Sequence, residues 1–146
     1  METTTIKGGK VVTMDIEGHI YDPGYVVIEG NKIVCITDDE GKIKKYKAKN
    51  IIDASDRIVM PGLINTHMHL RPVRGLGDGL STKDWHYSYA DNVSKRMNEE
   101  DAYFGAKLAF AEMISTGTTS ALGMTIHGDP ELQAAKEMGI RARLVP

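Results

Sequence analysis

The sequence predicts an α/β chain in two parts, and three observations carry that prediction. Residues 1–60 are short β-type runs broken by turn signals. Residues 61–146 run strand, helix, strand, helix, strand, the order of two parallel βαβ units. Between the two parts stands Pro61-Gly62, after which apolar residues fall on consecutive positions, as in strands of a parallel sheet.

Composition limits what such a chain can be. It has 146 residues, 41% hydrophobic and 26% charged, which suits a folded domain rather than a disordered segment. A formal net charge of -2 argues against a nucleic-acid or membrane-surface partner. The single cysteine, Cys35, excludes an internal disulfide and fits a reducing compartment. It lies in Lys32-Ile33-Val34-Cys35-Ile36 and reads as a small apolar strand residue. The start, Met1-Glu2-Thr3-Thr4-Thr5, lacks the basic and apolar regions of a signal peptide. No window approaches the ~20 apolar residues of a membrane span. A cytoplasmic location is the expectation.

The elements follow in order. Ile6-Lys7 and Val11 to Met14 flank Gly8-Gly9, which reads as a hairpin turn. Tyr25 to Glu29 and Lys32 to Ile36 flank Gly30-Asn31, a second hairpin. Residues 51–53 and 58–60 continue the strand pattern, and the polar stretch 37–49 reads as exposed loop or edge strand. Asp38-Asp39-Glu40 within it reads as a solvated turn. Leu63 to His69 reads as a strand buried on both faces, residues 71–80 as a glycine-rich loop, and residues 81–95 as a short helix. The next helix has Asn98 as N-cap and Glu99, Glu100 and Asp101 in its first turn. Its expected buried face is Ala102, Leu108, Ala109, Ala111, Met113 and Ile114, and Gly117 closes it. Residues 118–124 form the next strand. Asp129 as cap and Pro130 at the first position open a helix that ends at Gly139, and residues 140–145 form the last strand.

His67-Met68-His69 is the stretch that carries chemistry. Residues two apart on a strand share a face, and their Cα atoms lie about 6.6 Å apart. Both imidazoles can therefore lean onto one metal ion at a Zn–N distance of about 2.0–2.1 Å. On a helix the same spacing would point them to nearly opposite sides.

Pro61-Gly62-Leu63-Ile64-Asn65-Thr66-His67-Met68-His69 resembles the amidohydrolase superfamily, and most of all its group of cytosine deaminases, adenosine-type deaminases and triazine chlorohydrolases. Arg74-Gly75 and Asp84-Trp85 resemble the stretch that follows the histidines there, and Ala111 to Thr119 resembles the approach to the second barrel strand. The resemblance implies the N-terminal part of a metal-dependent (β/α)8 TIM barrel, incomplete in this chain and preceded by a small β-sandwich. It implies that His67 and His69 bind a catalytic divalent metal, zinc in the first place and iron in the second. Such a metal lowers the pKa of bound water toward ~7. The hydroxide so formed attacks an electron-poor carbon carrying an amino, amide or chloride leaving group.

The implied function is therefore hydrolytic deamination of a nitrogen heterocycle, with chlorohydrolase or cyclic amidase as the enzymatic alternatives. The resemblance also implies a histidine from the fifth strand with a nearby acid, a histidine from the sixth and an aspartate from the eighth. None falls within these residues, so no catalytic residue beyond the metal ligands is expected in them. The expectation is an N-terminal fragment, inactive alone, with the rest of the barrel from a longer chain or a second polypeptide. Homo-oligomerisation and a small-molecule substrate are expected as well. The alternative from a different class is a non-catalytic remnant or structural subunit completed by a partner chain.

Substrate clues are thinner. The acid that holds a ribose in adenosine-type deaminases aligns with Val93-Ser94-Lys95, and an arginine after the third strand aligns with Val145-Pro146. Both absences count against a nucleoside. The acid that usually precedes the methionine closing the second strand is Gly123 here. His127, just after that strand, is a substrate-binding candidate against the reading of an ordinary loop histidine. Trp85 either lines the pocket or anchors the loop helix. Arg74 is expected to hold the long loop, His86 to lie on a helix surface, and His19 to be structural or exposed.

Overall fold

The computed structural model describes residues 2–70 and 77–145. The chain divides between Pro61 and Gly62 into two compact units.

The first unit holds β1 (Thr3–Val12), β2 (Ile20–Glu29), β3 (Lys32–Thr37), α1 (Glu40–Ile43), β4 (Asn50–Asp53) and β5 (Ile58–Val59). The strands make one sheet in the order β3-β2-β1-β4, with β5 also on β1. β2 runs antiparallel to both β1 and β3, whereas β4 and β5 lie parallel to β1. Among the described residues this unit holds a single sheet, so the second layer that a β-sandwich requires is not among them.

The hairpin at Gly30-Asn31 forms as its turn chemistry predicts, with Gly30 at φ +62°. The hairpin at Gly8-Gly9 does not. β1 continues through both glycines, and the register against β2 slips there instead. Gly8 takes φ +86°, which the strand absorbs as a bulge. Gly9 is needed for a close passage, because a Cβ on it would lie 2.8 Å from the Ala54 carbonyl oxygen. The stretch 37–49, expected as loop or edge strand, contains α1. Asp39 caps it by accepting from the Gly41 N–H at 2.8 Å, and Ile43 is buried.

The second unit holds β6 (Leu63–His69), α2 (Thr82–Asp84), a π-helical stretch (Trp85–Ala90), α3 (Asp91–Arg96), α4 (Glu99–Ser115), β7 (Thr118–Met124), α5 (Asp129–Met138) and β8 (Arg141–Val145). The three strands form a parallel sheet in the order β6-β7-β8, a partial α/β fold. The role expected of Arg74 falls on residues 71–76, outside the described residues.

Asn98 caps α4 reciprocally: Asn98 Oδ1 accepts from the Asp101 N–H at 2.9 Å, and Asp101 Oδ2 accepts from the Asn98 N–H at 3.1 Å. The face α4 buries is the expected one only in part: Ala102 is buried and Ala109 and Met113 pack against the core. Ala102, Gly105, Ala106 and Phe110 are buried, whereas Leu108 and Ile114 are exposed. Positions 102, 106 and 110 share a stripe because residues four apart stack on a helix. Phe110 packs there with Met68 and Leu70 from the β6 segment, Ala121 from β7, and Ala134 and Ala135 from α5. Between the same two helices the Tyr103 hydroxyl donates to Glu137 Oε2 at 2.5 Å, with Lys107 3.1 Å from the same oxygen. The hydrogen bond from Tyr103, then those from Gln133 and Lys107, hold the Glu137 carboxyl down at about 2.

Two further expectations change. β6 was expected to be buried on both faces, but Leu63 and Ile64 are 51% and 71% exposed. The hydrophobic cluster takes up Met68 and Leu70 from this segment, not its first half. At α5 the cap position is Gly128, at φ +65°, rather than Asp129. Gly128 donates its N–H to Glu131, which reaches back from the first turn.

Candidate metal centre

His67 and His69 occupy the C-terminal end of β6, where the active sites of parallel α/β folds gather. Met68 between them turns the other way and is buried in the helix-packed core. The two imidazoles are exposed on the opposite face, ring centroids 5.0 Å apart with planes at 88°. The alternation read from the sequence therefore brings them together.

A feature that the sequence reading missed lies just before the pair. The register of β6 against β7 runs from Asn65 opposite Ala121 to Met68 opposite Gly123, so β6 carries one extra residue at the Thr66–His67 step. Such bulges re-aim side chains beside functional sites. Here Asn65 Oδ1 accepts from the His67 N–H at 3.1 Å, which ties down the bulged backbone. The asparagine two residues ahead of His67 was the available signal.

The described structure separates the other two candidates. Trp85 is half-buried and its ring centroid lies 6.2 Å from that of His69, so it stands at the histidine pair. His127 is instead held by a hydrogen bond between its Nε2 and the Met97 carbonyl oxygen at 3.0 Å. It lines a cavity of about 560 Å³ between the first turns of α4 and α5, with Glu99, Tyr103, Phe104 and Pro130. His86 is exposed, as expected. His19 pairs with Asp15 at 2.7 Å in the β1–β2 loop, and the His19 backbone N–H and ring hold the Asp15 carboxyl down at about 2. With Glu17 these two are the described residues that gather three metal-ligating side chains, all exposed.

Position 123 bears on the substrate clue. A Cβ on Gly123 would meet Leu144, Met68 and Leu70, on the face that packs under the helices. An acid at this position would point away from His67 and His69, so its absence is silent about the substrate.

The sequence reading did not single out Glu131, yet it is 1% exposed. Its Oε2 accepts from the Thr125 hydroxyl and from the Gly128 N–H, and its Oε1 has no hydrogen-bond partner among the described residues. Burial pushes its carboxyl up, against the pull of the N–H groups of Gly128, Ile126 and His127.

The donor set suits a divalent metal. Two neighbouring imidazoles on a single strand face are borderline nitrogen donors of the kind zinc takes, and they make half of a four-coordinate site.

The chain is similar in sequence and fold to proteins of known family. Residues 58–144 match the model of the amidohydrolase family. The chain is 34% identical over 141 residues to a 5-methylthioadenosine/S-adenosylhomocysteine deaminase of Acetivibrio thermocellus, covering 95% of this chain and 33% of that protein. Among solved structures, a zinc-bound adenosine deaminase from Xanthomonas campestris superposes with a TM-score of 0.85 at 27% identity, over 95% of this chain and 32% of that one. Atrazine chlorohydrolase from Arthrobacter aurescens TC1, complexed with zinc, superposes with a TM-score of 0.84 at 21% identity, over 97% and 35%. The chain thus spans about a third of the length of the relatives it matches. From the strand that carries the two histidines through the last strand of the sheet, it belongs to the amidohydrolase family.

Proposed function

We propose that this chain contributes two metal ligands, His67 and His69, to a hydrolase that deaminates a nitrogen heterocycle and releases ammonia. The observation that carries the reading is the pair itself: two imidazoles 5.0 Å apart on the open face at the end of β6. When bound, zinc would supply an acidified water at neutral pH. His67 and His69 would hold the ion, while the bulge and Asn65 fix the direction of His67. Trp85 would wall the pocket beside His69. The remaining ligands and the proton-transfer groups would come from residues beyond this chain.

The substrate class we favour is a purine nucleoside. Its support is the 34% identical deaminase named for 5-methylthioadenosine and S-adenosylhomocysteine, and the 27% identical adenosine deaminase. It reverses the weight given to Val93-Ser94-Lys95, because a relative that close outweighs the lack of an acid at an aligned position. The test is ammonia release from adenosine, 5-methylthioadenosine, cytosine and atrazine by the protein with its complete barrel, with chloride followed in parallel. Ammonia from the nucleosides is the expected result. Chloride from atrazine without ammonia from any nucleoside would replace this reading with a chlorohydrolase.

A further inference from the structure

We infer that His127 is a positioning residue: through its hydrogen bond to Met97 it sets the helical run that holds Trp85 against His69. A carbonyl oxygen can only accept, so His127 Nε2 carries the hydrogen and donates to the Met97 oxygen at 3.0 Å. Met97 caps the C-terminal end of α3 and is buried. Its carbonyl belongs to the helix end where acceptors lack intrahelical partners, and His127 supplies the donor. From Met97 the chain runs back through α3, the π-helical stretch and α2. Trp85 stands at the junction of α2 with the π-helical stretch. A π-helical turn departs from the α-helical repeat, so it offsets the side chains on one side of it from those on the other. The anchor at Met97 fixes the far end of α3, which continues directly from the π-helical stretch, and so acts on that stretch through α3.

The other side of the brace is stiff. The loop that carries His127 is closed by Glu131, which accepts from Thr125 and Gly128, while Gly128 also donates to Thr125 Oγ1 at 2.7 Å. The Asp129 N–H donates to the His127 carbonyl oxygen at 2.8 Å. A ring held on so closed a loop transmits position and does not swing. His127 hydrogen-bonds Met97 and lines the cavity between α4 and α5, and its route to the histidine pair runs through Trp85.

The inference goes beyond the deaminase reading and is tested without metal or substrate. Trp85 is the single tryptophan of the chain, so intrinsic fluorescence reports on it directly. In the metal-free protein with its barrel complete, any tryptophan outside these residues being replaced by phenylalanine, His127→Ala should shift the Trp85 emission to the red and raise its quenching by acrylamide, with the far-ultraviolet circular dichroism unchanged. His127→Gln keeps an N–H donor for Met97 and should return both signals toward those of the unmodified chain. Asp129→Ala, on the same loop, should leave them unchanged. If His127→Ala does not fold, His127→Phe replaces it, filling the space without a donor. A donor-less variant that folds with unaltered Trp85 emission and quenching overturns the inference, as does a Gln variant no better than the donor-less one. Either failure would leave the metal-ligand reading of His67 and His69 untouched.

Discussion

Gly62 lies against Thr119 so closely that a Cβ on Gly62 would overlap Oγ1, Cγ2 and Cβ of the threonine side chain. Their approach opens the pairing of β6 with β7. The Leu63 N–H donates to the Gly117 carbonyl oxygen at 2.9 Å, and the register then slips so that Thr119 is the extra residue. Rotating Thr119 about χ1 brings no relief, because its Cβ is itself within 2.7 Å of the added atom. The backbones would have to part at the point where the strand that bears His67 and His69 joins the sheet.

Gly62→Ala should therefore destabilise the chain by about 1–3 kcal/mol, the usual cost of forcing a methyl group into filled space. Urea denaturation followed by circular dichroism measures it. Thr119→Gly removes the obstructing side chain, so adding it to Gly62→Ala should cost less than the two single changes summed. Strict additivity would show that the contact does not limit the approach.

Phe110 is fully buried at the centre of the second unit, between the strands and α5. Truncation to Ala should cost about 3–5 kcal/mol, the range for an aromatic removed from a packed core. Leu108→Ala, two positions away and 47% exposed, should cost far less. Equal losses in denaturant midpoint would mean that α4 is rotated from the orientation described.

Phe110 also shows where the sequence stops being legible. α4 carries apolar residues around most of its circumference, so periodicity leaves its buried face ambiguous. Within that face, Ala106 and Phe110 are selected by the sheet and by α5, against which they pack. Local signals fared better. Gly30 in its hairpin, the Asn98–Asp101 box and Gly139 at φ +72° are set by neighbours within a few residues. Gly8-Gly9 has the same local chemistry as a turn, but a distant passage at Ala54 makes it a bulge. At the candidate site the shared face of His67 and His69 follows from strand alternation, whereas the bulge beside them depends on pairing with β7. Glu131 carries no local signal of burial, and its bonds to Thr125 and Gly128 form where the loop closes over it.

That burial gives stability a pH dependence. The folded carboxyl of Glu131 titrates above its ordinary value of 4.5. Below 4.5 it is protonated whether the chain is folded or unfolded, and contributes no difference. As pH rises from 4.5 toward the folded pKa, the unfolded chain ionises first, so the folded state loses stability and then levels off. Glu131→Gln cannot ionise and should remove this component. The gap in Tm between the Gln variant and the unmodified chain should thus shift in favour of the variant from pH 4 to pH 8. A gap independent of pH would mean that Glu131 ionises freely in the folded chain.

The two histidines make the last prediction quantitative. A chain that offers two imidazoles should bind zinc weakly, since a structural or catalytic site takes about four ligands. In the protein with its barrel complete, His67→Ala or His69→Ala should lower zinc affinity by more than about 100-fold, beyond the 10–100-fold typical of residues that merely support a ligand. Calorimetric titration with zinc measures this, and zinc content after gel filtration checks retention. Acidification should weaken binding as well, because protons compete for the same imidazole nitrogens. The control is His19→Ala. His19 lies with Asp15 and Glu17 in the described cluster of three potential ligands, on the exposed β1–β2 loop. Its replacement should leave the tighter binding intact. Zinc lost on replacing His19 but kept on replacing His67 would move the ion to that loop, and with it would go the argument that the end of β6 is the metal centre.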